Sequence, residues 1–151
     1  MTRSRRVLVA PSKKRLVELR IPSVFGYEKV AMATVTAVAA RLGIHGERAN
    51  DLRTAVAEAC INAIEYGNRS AADIPVIVTL SADDRRLLVD VCDRALGATR
   101  PHMGAMVDIQ HPPIGPHANM GLFLIHNLVD EVAIVCRANG THVQMAMRFP
   151  S

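Results

Sequence analysis

The chain has 151 residues, half of them hydrophobic, and a formal net charge of +4, which suits one domain around one core. No run approaches the roughly 20 apolar residues of a membrane span, and Val7–Ala10 is shorter than the roughly 7–15 residues of a signal-peptide core, so a cytoplasmic protein is expected. Cys60, Cys92 and Cys136 are widely spaced, lie in apolar runs and form no CxxC pair, which excludes a disulfide framework and a zinc site and predicts small buried thiols.

Residues 1–20 carry seven Lys/Arg and one Glu, whereas the remaining 131 carry eleven Lys/Arg and thirteen Asp/Glu. The body is therefore slightly acidic, and residues 1–14 read as a basic flexible tail. With no interleaved aromatics and no nucleic-acid motif, direct nucleic-acid contact is not expected.

Arg15–Ile21 alternates and predicts a strand ended by Pro22. Tyr27–Leu42 has Ala31, Val35, Val38 and Leu42 at helical spacing and predicts an amphipathic helix stopped by Gly43. A second helix is predicted from Glu47 to Tyr66, with Leu52, Ala55, Val56, Ala59 and Ala63 as its apolar face and Gly67-Asn68 as its stop. Pro75–Leu80 and Arg86–Asp93 form a predicted hairpin around Ala82–Arg85.

Gly97–Asn119 holds four prolines, three glycines and three histidines without periodicity, and a loop of this length in a compact domain is usually functional or disordered. Leu122–Val129 then reads as a short helix. Val132–Arg137 and His142–Phe149 read as a second hairpin about Asn139-Gly140, its last strand alternating as a one-sided sheet edge. The order predicts a two-layer α/β sandwich, mostly antiparallel, with the helices on one face.

Chemistry concentrates in three places. At 100° per residue, Asp51, Glu58, Asn62 and Glu65 share a narrow arc of the second helix, away from its apolar stripe. Polar residues opposite such a stripe are also the ordinary solvated face of a helix. Glu58 and Asn62 project together: a carboxamide oxygen suits magnesium, and a carboxylate one turn away can deprotonate a nucleophile. Asp93 at a strand end can accept from the adenine amine, and Gly97 lets backbone approach the base; by itself, such an Asp is as readily a turn residue. Gly121, at the expected start of the last helix, would let phosphate reach free backbone N–H groups. His102, His111 and His117 match no zinc spacing and read as exposed loop residues; His126 reads as a surface helix residue.

In order, EACINAIEYGN resembles the N-box of the Bergerat-fold ATPases, the superfamily of gyrase, heat-shock chaperone ATPases and histidine kinases. Asp93–Gly97 resembles its first glycine box, D-x-G-x-G, NMGLFLIHNLVDEV its second, and Gly140–Val143 its GTxV segment. The resemblance covers about residues 15–149, and GLFLIHNLVDEV is most similar to the bacterial anti-sigma-factor serine kinases.

It implies ATP and magnesium as cofactors, a sigma factor and a small STAS-type anti-anti-sigma protein as partners, and a homodimer. Glu58 would be the general base and Asn62 the magnesium ligand. Asp93, Gly97 and Thr141 would serve the adenine, and Asn119, Gly121 and Leu122 the phosphates. Tyr66 stands before Gly67 where many members have His, and Lys29 where relatives contact partners. The resemblance makes residues 15–151 an ATP-binding kinase domain, with 98–118 as a nucleotide lid. Ala95, Ala118 and Asn119 replace expected glycines, so a sequestering protein with weakened ATP use is the alternative. An ATPase without a protein substrate and a plain structural domain are more distant ones.

Overall fold

The computed structural model describes residues 13–94, 96, 106–107 and 116–151. The elements are β1 (Lys14–Ile21), α1 (Glu28–Arg41), α2 (Gly46–Asn62), β2 (Val76–Ala82), β3 (Arg86–Asp93), β4 (Met106–Val107), α3 (Pro116–Leu128), β5 (Glu131–Arg137) and β6 (Gly140–Arg148). The strands form one antiparallel sheet in the order β1-β2-β3-β6-β5-β4. All three helices contribute to one core against it, so the two-layer α/β architecture holds.

Strand alternation builds that core. Val76, Val78 and Leu80 of β2, Leu87, Val89 and Val91 of β3, and Val143, Met145 and Met147 of β6 all enter it. They meet Ala31, Val35 and Ala39 of α1, the predicted apolar stripe of α2, and Leu122 and Ile125 of α3. With so few aromatics, small residues line the helix faces and let them lie close to the sheet. No helix of the described residues is long and apolar enough to cross a membrane.

Four expectations need correction. The second helix is α-helical only to Asn62; Ala63–Gly67 is a π turn, closed by the Asn68 N–H donating to the Ala63 carbonyl at 2.8 Å. The last helix starts at Pro116, not Leu122, because proline is well suited to a first helical position, where no N–H is needed. The second hairpin turns at Ala138-Asn139, and Gly140 already pairs with Arg137. Finally, β6 is not an edge: it pairs with both β3 and β5, and Leu88, Ala133, Val135 and Ala146 form a small second cluster on the outer face. The proposed tail, residues 1–14, lies outside the described residues up to 12, and Lys14 already belongs to β1.

Two polar clusters fix the layers. Arg48 of α2 donates to both Asp130 oxygens, at 2.8 and 3.4 Å, and to the Arg148 carbonyl at 2.8 Å, tying α2 to the end of β6. On the outer face, His142 Nδ1 lies 2.8 and 3.0 Å from the Asp90 oxygens, and Nε2 lies 2.8 Å from Asn139 Oδ1 and 3.5 Å from Cys92 Sγ. Burial pulls the His142 imidazolium down, but the bonds to Asp90 and Cys92 prevail and push its pKa up to about 9, from 6.5. A folded-state pKa above the unfolded one stabilises fully below the unfolded value and is lost as pH rises through the folded one. The melting-temperature lead of wild type over His142→Gln should therefore be full at or below pH 6.5, shrink towards pH 9 and vanish above it. A lead that stays constant across that window would show that the charged imidazolium contributes nothing.

Candidate active site

Glu58 and Asn62, one turn apart on α2, are partly exposed while Leu52, Ala55, Val56 and Ala59 beneath them are buried. Against them lies Gly121. A β-carbon there would stand 3.0 Å from Asn62 Nδ2, 3.4 Å from Asn62 Oδ1 and 3.2 Å from Glu58 Oε2. One point on α3 therefore touches both side chains, and a larger residue at 121 would push them aside. Gly121 lies in the second turn of α3 rather than at its start, and Leu122 points into the core at 2 % exposure. Past the first turn the backbone N–H groups belong to the helical ladder, so the expected free N–H groups for phosphate do not lie at Gly121 and Leu122.

One residue of the predicted arc falls away. Glu65 lies exposed on the π turn, and the arc assumed 3.6 residues per turn throughout, a period that the π turn breaks. Asp51 stays on the same α-helix as Glu58 and Asn62 but near its opposite end, where it acts electrostatically on Arg48.

At the other end of the site, alternation places Asp93 and Thr141 on the helix-side face, continuing the rows Val89–Val91 and Met145–Val143. They are direct cross-strand partners, a spacing of about 5 Å between β-carbons. Cys136 pairs with Thr141 from β5, its sulfur 3.9 Å from Thr141 Oγ1. Asp93 is held by two glycines. A β-carbon on Gly67 would overlap its carboxylate, and one on Gly140 would overlap its carbonyl oxygen. Gly140 also has φ +138°, a region in which only glycine is at ease.

Sequence reasoning saw Asn68 only as a helix stop. It is fully buried, and its Oδ1 accepts from the Arg94 N–H at 2.7 Å. Its Nδ2 donates to Ser23 Oγ at 3.0 Å and to the Pro75 carbonyl at 3.3 Å. With the Leu96 N–H donating to the Gly67 carbonyl at 2.6 Å, it moors the segment leaving Asp93 to the end of α2. A polar residue just after a helix-ending glycine was the only signal available, and it reads equally as a turn.

Tyr66 is half-buried on the π turn; burial, with Glu65 beside it, raises its hydroxyl pKa. Gly97 and most of the expected lid, 98–118, lie outside the described residues, as do the side chain of Asn119 and His102 and His111. Two pieces of that lid segment are described, strand β4 and the first turn of α3. His126 is exposed, as expected. Beside Glu58, Met120, Phe123, Leu124 and Asn127 line a groove of about 560 Å³.

Among the described residues no group of three or more His, Cys, Asp or Glu could hold a metal by itself. A carboxamide oxygen beside a carboxylate, both at the surface of Gly121, suits an ion that keeps most of its coordination for phosphate oxygens and water.

Residues 23–147 match the histidine kinase-like ATPase domain, and the chain belongs to that family. It is similar to the serine-protein kinase RsbW of Staphylococcus epidermidis, 27% identical over 89% of this chain and 87% of that one. It is also similar to serine-protein kinase RsbW of Bacillus subtilis, 26% identical over 87% and 82%. Among solved structures, the RsbU and RsbW domains of a Mycobacterium tuberculosis protein superpose with a TM-score of 0.62 at 19% identity. That match covers 87% of this chain and 31% of the other, and it shows the shared fold.

Proposed function

We propose that the protein is an anti-sigma-factor-type serine protein kinase. It binds ATP with magnesium, sequesters a sigma factor and phosphorylates a small anti-anti-sigma partner of the STAS type on serine. The observation that carries the reading is the convergence of Glu58 and Asn62 on Gly121, with the Asp93–Thr141 pair built into the same helix-side face. The similarity to serine-protein kinases supports the reaction type.

In this reading Asn62 holds magnesium through Oδ1, and the bound ion neutralises charge on the triphosphate. Glu58 orients and deprotonates the partner's serine hydroxyl. Asp93 accepts a hydrogen bond from the adenine amine, with Thr141 beside it. Gly121 keeps α3 close without crowding the two α2 side chains, and catalysis is mainly positioning and charge neutralisation. Gly97, Asn119, Leu122, Tyr66 and the segment 98–118 complete the proposed nucleotide site. A homodimer in the cytoplasm is the assembly that goes with this reading, with α1 and Lys29 towards the partner.

Because a carboxylate accepts from adenine but faces the carbonyl oxygen of guanine, ATP and ADP should bind clearly better than GTP when titrated calorimetrically with magnesium. Equal affinities would remove Asp93 from base reading. Phosphate transfer from ATP to a cognate serine-bearing partner tests the kinase assignment directly. Tight partner binding without transfer would favour a sequestering protein, the reading to which Ala95 and Ala118 in place of glycines point.

A further inference from the structure

The sheet's outer face, away from Glu58 and Asn62, carries a second groove of about 520 Å³. Its rim includes Arg20 and Arg137, and its wall includes Asp90, Cys92, Asn139 and His142. Cys92 and His142 are direct partners across β3 and β6. Together with Asp90 they form a chain of thiol, imidazole and carboxylate, with Sγ 3.5 Å from Nε2 and Nδ1 2.8 Å from the nearer Asp90 oxygen. The nucleotide-site reading uses none of these groups.

We propose that Cys92 is a hydroperoxide-reactive thiol, set up by His142 and Asp90 at the wall of this groove. The three cysteines differ in the way such a role requires. Cys60 is fully buried inside α2, where burial pushes its thiol up to about 12. Cys136 is 1 % exposed and lies beside the Thr141 hydroxyl. Cys92 faces a groove, is 5 % exposed and has an imidazole at its sulfur.

The imidazole is arranged to act as an acid. Both of its nitrogens face oxygen acceptors, Asp90 on one side and Asn139 Oδ1 on the other, so the ring is satisfied when it carries both protons. A doubly protonated ring at the sulfur is placed to hand a proton to an oxygen that departs there. The cluster is not a metal site: among the described residues no group of three or more His, Cys, Asp or Glu is placed to hold a metal ion.

The step balances as follows. Cys92 releases its proton to solvent, and the thiolate attacks the hydroxyl oxygen of the hydroperoxide. An S–O bond forms and the O–O bond breaks. The departing oxygen takes the Nε2 proton of His142, giving an alcohol, or water from hydrogen peroxide. Sulfur is oxidised to sulfenic acid, the peroxide is reduced, and His142 regains its proton from solvent.

The test treats the purified full-length protein with low hydrogen peroxide, traps sulfenic acid with dimedone and quantifies each cysteine peptide by mass spectrometry. Cys92 should be trapped at least about tenfold faster than Cys60 and Cys136, and His142→Gln and Asp90→Asn should each slow it by roughly tenfold. Equal trapping at the three thiols in wild type would overturn the proposal. So would an unchanged Cys92 rate in a folded His142→Gln protein. The wild-type comparison needs no variant, so it decides even if both substitutions unfold the chain, and it is independent of nucleotide binding.

Discussion

Glu58→Gln should keep magnesium-dependent ATP binding and lose phosphate transfer to a serine-bearing partner by roughly 10²–10⁴-fold, the usual range for a general base. The amide is nearly isosteric and still fits against Gly121, where Glu58 Oε2 and the Asn62 amide approach the same point, but it cannot take a proton. Asn62→Ala should do the reverse to the first step: it removes the proposed magnesium ligand, so ATP affinity measured with magnesium should fall while affinity measured in EDTA changes little. Transfer at the wild-type rate by Glu58→Gln would end its assignment as base. Unchanged magnesium-ATP affinity in Asn62→Ala would mean that the pocket does not hold the ion through α2.

Gly140→Ala should be the most damaging single-methyl substitution near the site. Its β-carbon would land on the Asp93 carbonyl oxygen, and its φ of +138° is itself unfavourable for alanine. Backbone strain alone costs about 1–3 kcal/mol, which at roughly 2–4 °C per kcal/mol for a chain of this size lowers the melting temperature by about 2–12 °C. Gly43→Ala is the control. Its φ is +85°, but nothing lies within 4 Å of the added carbon, so only the strain should register. If the two variants melt together, the overlap with Asp93 is relieved at no cost, and Gly140 does not clamp that residue.

How much of this was legible in the sequence depended on whether the information was local. The helices α1 and α2 and the strands β2, β3 and β6 followed from period and punctuation, because each buries one face against a single core. The grouping of Glu58 with Asn62 followed from helical spacing. Glu65 was wrongly added to it, because that spacing was carried through a π turn that composition does not announce. The start of α3 was hidden by Pro116, which reads as loop but opens the helix. His142 looked like the solvent side of an edge strand, because alternation shows that a strand has two faces but not that β3 and β5 flank it. Asn68 was missed for a related reason. Its three partners come from Ser23, Pro75 and Arg94, and no pattern in its own neighbourhood encodes them.

The two-residue connection between β5 and β6 has a consequence for how this domain can vary. Side chains alternate between the two faces, so slipping β6 by one position against β3 would exchange Thr141 for His142 beside Asp93 and turn the apolar row Val143–Met147 outward. A single-residue insertion or deletion at Ala138-Asn139 threatens both faces at once unless a bulge absorbs it, whereas a change of two residues leaves their parity intact. Among sequences that share this architecture, length differences at this hairpin should therefore come in even steps. Odd ones should coincide with a bulge or with loss of the Asp–Thr pair.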